Sequence, residues 1–363
     1  MKKNGKSVIG LGIILLSLLI GPSLAIAGGI TPAVYTMTNS PYRNHVVIFD
    51  RDAKGMLTKI GKIRTGGSGS GGDAVDPLGS QSSLVLSASG RWLLAVNAGS
   101  NSISVFRVLP DGLIRTDLVG SEGEFPVSLA VFHNLVYVLN ADSHNITGFR
   151  LTHRGKLVHL YKSTRSLGNG TFSQVGFDPQ GKKLVVTDRE DNEILVYFVG
   201  KDGRPSAEPV TSPSIGAAPF GFVFDGWWNL LVSEAGSGAV SSYDILHEGT
   251  LRVISPSVAN GQTATCWIDQ NNRYAFTANT VSGTISVYKI ETRNGRLALL
   301  NAEAGSGNLP IDLGTTICGR FLYVLNAGDG TIGMFRIKSN GTLIDLGSID
   351  AGLSIFAQGI AVR

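Results

Sequence analysis

SASGRWLLAVNAGSNSISVFRV, residues 87–108, is the stretch on which the architecture turns. An apolar run, Trp92–Val96, ends at the polar Asn97, and a small-residue turn follows. Then Ile103, Val105 and Arg107 alternate with Ser102, Ser104 and Phe106. A polar-ended apolar run, a tight turn and a period-2 segment read as two antiparallel strands. The phrase returns as VYTMTN ending at Asn39, VYVLN at Asn140, LVVTD at Asp188, LLVSE at Glu234, YAFTAN at Asn279 and LYVLN at Asn326. From Asn97 onward the end residues are spaced in the forties, while 58 residues separate Asn39 from Asn97. Several short strands per unit at such a period predict a β-propeller.

Each unit reads as four strands. In the second, Ser83–Ser87 is strand A, Trp92–Asn97 is B, Ser102–Val108 is C and Leu113–Val119 is D. The C-strand phrase returns as NITGFRL, EILVYFV, AVSSYDI, TISVYKI and TIGMFRI. Asp111-Gly112, Asp202-Gly203, Asn294-Gly295 and Asn340-Gly341 supply hairpin turns, because these dipeptides accept positive φ. The fold class is therefore all-β, a seven-bladed propeller of four-stranded antiparallel blades. Its ends carry a further expectation. Val34–Thr38 reads as a B strand with no A strand before it, and Ala357–Val362 as an A strand with no B strand after it. Together they make one blade, so the C-terminal strand is expected to close the ring and leave no open sheet edge.

The first residues have another character. Lys2, Lys3 and Lys6 precede an apolar run, Val8–Ile20, and Ala25-Ile26-Ala27 offers a small-x-small site. That is the layout of a secretory signal peptide, with cleavage expected after Ala27, one propeller domain over residues 28–363, and a secreted or periplasmic location. The apolar run is short for a span of ~20 residues, so no integral membrane segment is expected in the mature chain. Without the leader the formal charge falls from +4 to +1, since three of the 31 basic residues are lost against 27 acidic ones. A charge that small argues against nucleic acid as a partner. The mature chain reads as a monomer.

The two cysteines, Cys266 and Cys318, fall at different heights of neighbouring blades and read as unpaired thiols. Residues 64–80 contain GGSGSGG and link strand D of the first unit to strand A of the second. With no following helix or Lys, the segment lacks the parts of a phosphate loop and reads as a flexible surface loop. The six histidines, His45, His133, His144, His153, His159 and His247, have no metal-ligand spacing, and no C-x-x-C-H is present. No cofactor and no metal site are expected. Trp92, Trp227, Trp228 and Trp267 are expected to pack between blades.

Propeller geometry says where chemistry would sit. Strand A begins on the face where strand B ends, and the starts of the A strands line the central channel, a natural ligand mouth. Aligning the units places Ser83, Ser128, Gln174, Gly221, Thr263, Asp312 and Gln358 on the channel ring, with Phe220 beside it. The ring has one carboxylate and no Arg, Lys or His, so it lacks the clamps that a phosphorylated or multiply carboxylated substrate needs. At the ends of the B strands, five Asn read as turn chemistry, whereas Asp188 and Glu234 stand out in adjacent blades as acid–base candidates.

The phrases SASGRWLLAVNAGSNSISVFRV and ICGRFLYVLNAGDGTIGMFRI resemble the lactonase-family propellers. That family includes bacterial-type 6-phosphogluconolactonases and fungal carboxymuconate cyclases, and the wider YVTN-type surface propellers share the phrases. The resemblance implies an active site with a His at the start of one A strand, a Glu ending the next B strand, an Asp ending the B strand of the His-bearing blade, and nearby arginines. Asp188 and Glu234 match the acids. Ser173, Phe220 and the region of Ala264 stand where the His and two Arg are implied. Lactone opening needs a base for water and a group to hold the oxyanion. Two readings follow. One is an exported propeller with a degenerate catalytic set, acting as a binding or scaffolding module on a small molecule or protein at the channel face. The other is a divergent lactone hydrolase, a carboxylic ester hydrolase using Glu234 as base with Asp188 and Gln174 in support.

Overall fold

The computed structural model describes Met1 and residues 31–291 and 293–363; apart from Met1, the leader and its cleavage site lie outside the described residues. Residues 31–363 form seven antiparallel sheets of four strands in the order A-B-C-D. In the second blade the strands are Leu84–Leu86, Trp92–Asn97, Ser102–Leu109 and Gly112–Gly120, within two residues of their predicted bounds. The third blade departs slightly, because its outer edge is two short pieces, Leu157–His159 and Arg165–Ser166, both paired to strand C.

The ring closes as expected. Gln358–Val362 pairs with Ala33–Met37, Val34 opposite Val362 and Thr36 opposite Ile360. This blade mixes the two ends of the chain, so no inner strand is left without a partner. One boundary differs from the sequence reading. Strand B here is Ala33–Met37, and the N–H of Thr38 bonds the carbonyl of His45, the residue that opens strand C, so the strand stops one residue short of the expected Thr38 and two short of Asn39, where the repeated phrase ends. Asn39 lies two residues beyond its end, at φ 47.

The core is built from the A, B and C strands, as with Val127 and Leu129, Val136 and Val138, and Ile146 and Phe149 in the third blade, packed against the neighbouring blades. Two tyrosines bolt blade to blade. Tyr137 Oη donates to the carbonyl of Gly203 at 2.8 Å, and Tyr323 Oη to that of Gly55 at 2.9 Å. Both glycines sit in C–D turns of the next blade, at φ +87 and +94, where a side chain would strain the backbone. Gly203 belongs to one of the Asp-Gly turns read from the sequence.

The tryptophans divide. Trp92 and Trp267 are buried between blades, but Trp227 and Trp228 are 54 and 56 % exposed. They occupy the A–B turn of the fifth blade, held by Asp225, whose carboxylate accepts the N–H groups of Trp227 and Asn229. A turn closed by Asp in this way points its central residues outward. Cys266 is buried, Cys318 is exposed, and neither is in a disulfide.

Candidate functional site

The inner strand of every blade faces the channel with one edge unpaired, and those N–H and C=O groups need partners. Much of the sequence-predicted ring supplies them. Ser128 Oγ accepts the N–H of Val175 on the next blade at 3.2 Å. Gln174 imitates a strand edge, its amide oxygen taking the N–H of Phe222 at 2.7 Å while its Nε2 donates to the carbonyl of the same residue at 3.1 Å. Asp312 takes the N–H of Ile360 at 3.0 Å, tying the seventh blade to the closing strand. Burial pushes the Asp312 carboxyl up to about 7, against the hydrogen bonds from Ile360 and Leu313, and no cation compensates.

Two ring assignments need correction. Thr263 is exposed and lies outside the channel, ahead of strand Thr265–Gln270. Trp267 takes the place that Gln174 has in its blade, since each pairs with the residue before the end of strand B. The A–B turn is shorter here, Gln270 pairing with Ala275 where Phe177 pairs with Leu184, so the ring position falls later in the sequence. Phe220 is buried edge-on against Trp267, with ring centroids 5.1 Å apart, and so does not line an open mouth.

The largest departure is the glycine-rich segment. It folds over the channel instead of projecting from the surface, and Ser80 to Ser82 cross the mouth. Ser80 Oγ donates to the carbonyl of Val127, and its own carbonyl accepts from Trp267 Nε1 at 3.0 Å and Gln358 Nε2 at 3.1 Å. The N–H of Gln81 bonds Ser173, and its side-chain amide spans the channel to both the N–H and C=O of Ile268. Ser82 accepts the N–H of Leu129 through its carbonyl. This plug touches the first, third, fourth and sixth blades. Ser83, Ser128, Gln174, Asp312 and Gln358 are consequently buried beneath or beside it. Below the plug the channel retains a cavity of about 280 Å³, which Asp269 and Asp312 line together with Leu84, Leu313, Ile360 and Val362.

Glu234 and Asp188 end their strands as the sequence indicates, but their carboxylates are engaged locally. Glu234 is 0 % exposed. It accepts the N–H of Gly216 at 3.0 Å, the hydroxyl of Ser257 at 2.6 Å and the hydroxyl of Ser241. Asp188 accepts the N–H of Glu190 in its own B–C turn and the N–H of Thr171, just ahead of strand A of the same blade, both at 3.0 Å. No hydrogen bond joins the two acids. The Glu234 cradle has a direct test. A Cβ added at Gly216 would overlap the Glu234 carboxylate, which three donors hold in place. Gly216→Ala is therefore expected to cost about 1–3 kcal/mol in urea denaturation; a variant as stable as the wild type would mean that the carboxylate is free to move.

A family profile described as "Lactonase, 7-bladed beta-propeller" matches residues 34–175. The 6-phosphogluconolactonase of Buchnera aphidicola subsp. Schizaphis graminum is 23 % identical over 265 residues, 68 % of this chain and 78 % of that protein. Among solved structures, a putative 6-phosphogluconolactonase from Bacteroides uniformis superposes with a TM-score of 0.74 at 18 % identity, covering 92 % of this chain and 99 % of the other. The periplasmic gluconolactonase of Pseudomonas aeruginosa superposes with a TM-score of 0.73 at 16 % identity, over 92 % and 99 % of the two chains. The chain resembles the seven-bladed lactonase-type propellers.

On this lactonase-like scaffold, two residues outside the sequence-predicted ring gather beside the plug. Arg189 follows Asp188 in the fourth blade's B–C turn, and its Nη1 donates to the carbonyl of Gly79 at 3.3 Å. Its guanidinium lies 5.7 Å from the centre of the Phe220 ring. His144, in the third blade's B–C turn, bonds the carbonyl of Gly168 through Nδ1 at 3.0 Å and packs edge-on against Phe172. Since a carbonyl only accepts, Nδ1 carries the proton and Nε2 is the ring's acceptor in the neutral form. Arg165, the other arginine near the D–A loops, turns instead to the carbonyls of Pro205 and Ser206. A sequence signal for Arg189 and His144 did exist. Both lie in B–C turns, on the face where a ligand is expected.

Asp76, in the plug segment, completes the picture. Its Oδ1 accepts Gln358 Nε2 at 2.9 Å. Burial pushes its carboxyl up to about 7, although Gln358, Arg189 and the N–H groups of Ser80 and Gly79 all pull the other way. Among the described residues, no group of three or more His, Cys, Asp or Glu is arranged to hold a metal ion.

Proposed function

We propose that this chain is an exported, lactonase-like propeller that works as a binding or scaffolding module and not as a lactone hydrolase. The observation that carries the reading is the state of Glu234. A general base must reach the proton it abstracts. The Glu234 carboxylate is enclosed and already receives three hydrogen bonds from Gly216, Ser241 and Ser257. The plug adds to the argument, since Ser80–Ser82 fill the channel mouth where a lactone would lie. Ser173 and Phe220, at positions where the resemblance implies a His and an Arg, supply neither a proton nor a cation. Among the described residues no helix is long and apolar enough to cross a membrane. Export rests on the leader-like first 27 residues, and one structural neighbour is itself described as periplasmic.

The test is hydrolysis of a panel of neutral and phosphorylated lactones by the wild type and by Glu234→Gln. Turnover no faster than in buffer is expected for both. Robust turnover that disappears in a Glu234→Gln protein of unchanged melting temperature would overturn the reading.

A further inference from the structure

The groove beside the plug is a site of its own. It encloses about 350 Å³ between the plug segment Asp76–Gly79, the third blade's turn at Ala141–His144 and the start of the fourth blade at Gly170–Phe172. That volume lies at the small end of the range for ligand pockets. Pro77, Leu78, Phe125 and Phe172 give it apolar walls, and Arg189 and His144 give it polar ones.

Arg189 is the residue whose arrangement points to a ligand. A guanidinium offers five donors, and here one hydrogen bond, to Gly79, is made. The ion pairs among the described residues join Lys156 to Asp117, Arg204 to Asp202 and Arg252 to Asp244, and none includes Arg189. The nearby carboxyls are committed elsewhere. Asp76 is bonded to Gln358, and Glu190 accepts the hydroxyl of Thr171 at 2.6 Å. Arg189 is near enough to Asp76 to pull on its carboxyl, but no carboxylate is hydrogen-bonded to the guanidinium, and a partly buried cation seated on an aromatic ring without a bonded anion gains from one that arrives from outside. Its planar fork matches a carboxylate. The surroundings set the charge that is tolerated. Asp142 lines the same groove, Glu190 stands at its edge and Asp76 is partly ionised at pH 7, so a dianion such as a phosphate monoester would meet more repulsion than a single carboxylate.

We propose that this groove binds a small monocarboxylate with an apolar body, the carboxylate on Arg189 and the body against Phe125 and Phe172. The proposal rests on the reading of the chain as a binding module and names its ligand class; no bond is made or broken in the groove.

Benzoate, benzamide and phenyl phosphate are suitable probes, titrated into the full mature chain by calorimetry and NMR at pH 7. Benzoate is expected to bind, with benzamide and phenyl phosphate each about ten-fold weaker or worse, the usual worth of a charge-assisted hydrogen bond. Arg189→Met should weaken benzoate by about ten-fold or more and leave benzamide unchanged, with Arg189→Lys between. The wild type alone supplies a second measurement that does not depend on how a variant folds. The His144 ring signals should shift with benzoate and not with equal benzamide. No detectable benzoate binding, equal affinity for benzamide, tighter binding of phenyl phosphate, or unmoved His144 signals would each overturn the assignment. Lactone turnover would sink the binding-module reading, whereas absent benzoate binding would sink only this site.

Discussion

A chain ending at Leu353 is expected to lose its folded ring. Removing residues 354–363 deletes strand Gln358–Val362, the inner strand of the blade that joins the two ends of the chain. The ladder to Ala33–Met37 goes with it, as does the bond from Thr36 Oγ1 to the Gly359 carbonyl at 2.8 Å. So do the contacts of Gln358 with Asp76 and Ser80, and the Ile360 N–H that Asp312 accepts. The loss is larger than one strand's worth of bonds. Gln358 is one of the residues that seat the plug, and Asp312 would be left as a buried carboxylate without its cross-blade donor. Ile360 and Ala361 also take buried apolar surface with them. Against a net stability of ~5–15 kcal/mol for a typical domain, such a deletion leaves little margin. The exposed edge at Ala33–Met37 would then template association between chains. Size-exclusion chromatography and thermal melting decide the matter: aggregation or a broad, early transition is expected. A truncated chain that stays monomeric and melts as sharply as the intact one would show that the closing strand is dispensable.

The architecture was legible because every blade solves the same local problem with the same phrase. Trp92–Val96 is an apolar run that ends at a polar residue, Ser102–Val108 alternates, and an Asp-Gly turn such as Asp202-Gly203 fixes a positive φ that few other pairs accept. Closure was legible from two fragments that lacked partners. Register was less so. Asn39 copies the other strand-ending asparagines in sequence, but a longer B–C turn moves the strand end back to Met37. Thr263 was placed on the ring by counting back from strand B, which fails when the A–B turn changes length. The plug was hidden for a different reason. Gln81 meets Ile268 across 187 positions of sequence, and nothing in GGSGSGG says that the segment after it will enter the channel. The unusual length of the first repeat was the only trace. Trp227 and Trp228 misled because an aromatic pair suggests packing, whereas Asp225 turns their backbone outward. Glu234 differs in sequence from the asparagines around the ring. The difference is met inside its own blade, by two serines and a glycine that only the folded chain brings to it.

Stability is expected to fall as pH rises from 5 to 8, in the direction opposite to that of a protein held by paired carboxylates. Asp312 and Asp76 both have carboxyls pushed up to about 7 by burial, and Asp269 is raised by the same cause. In the unfolded chain such groups release their protons near pH 4. Between about pH 4 and 7 the folded state therefore holds protons that the unfolded state has lost. The stability these groups contribute is fully present below pH 4, and it is lost as pH climbs through 7. For a carboxyl as buried as Asp312, the span between pH 4 and 7 puts up to about 4 kcal/mol under proton control. His45 works the other way, since its pKa is lowered by burial, so its share of stability grows as pH rises through about 6.5. It is one partly exposed ring against three carboxyls, and the falling slope should prevail. Melting curves at pH 5, 6.5 and 8 measure the slope, and Asp312→Asn isolates its source. The variant should be less stable than the wild type at pH 5, where an amide cannot accept both the Ile360 and the Leu313 N–H, and should lose much of the decline toward pH 8. A wild type equally stable at pH 5 and 8, or a slope that Asp312→Asn leaves intact, would mean that the channel carboxyls are ionised in the folded ring. The cross-blade bond from Ile360 would then be a charge-assisted one, strongest where this account makes it weakest.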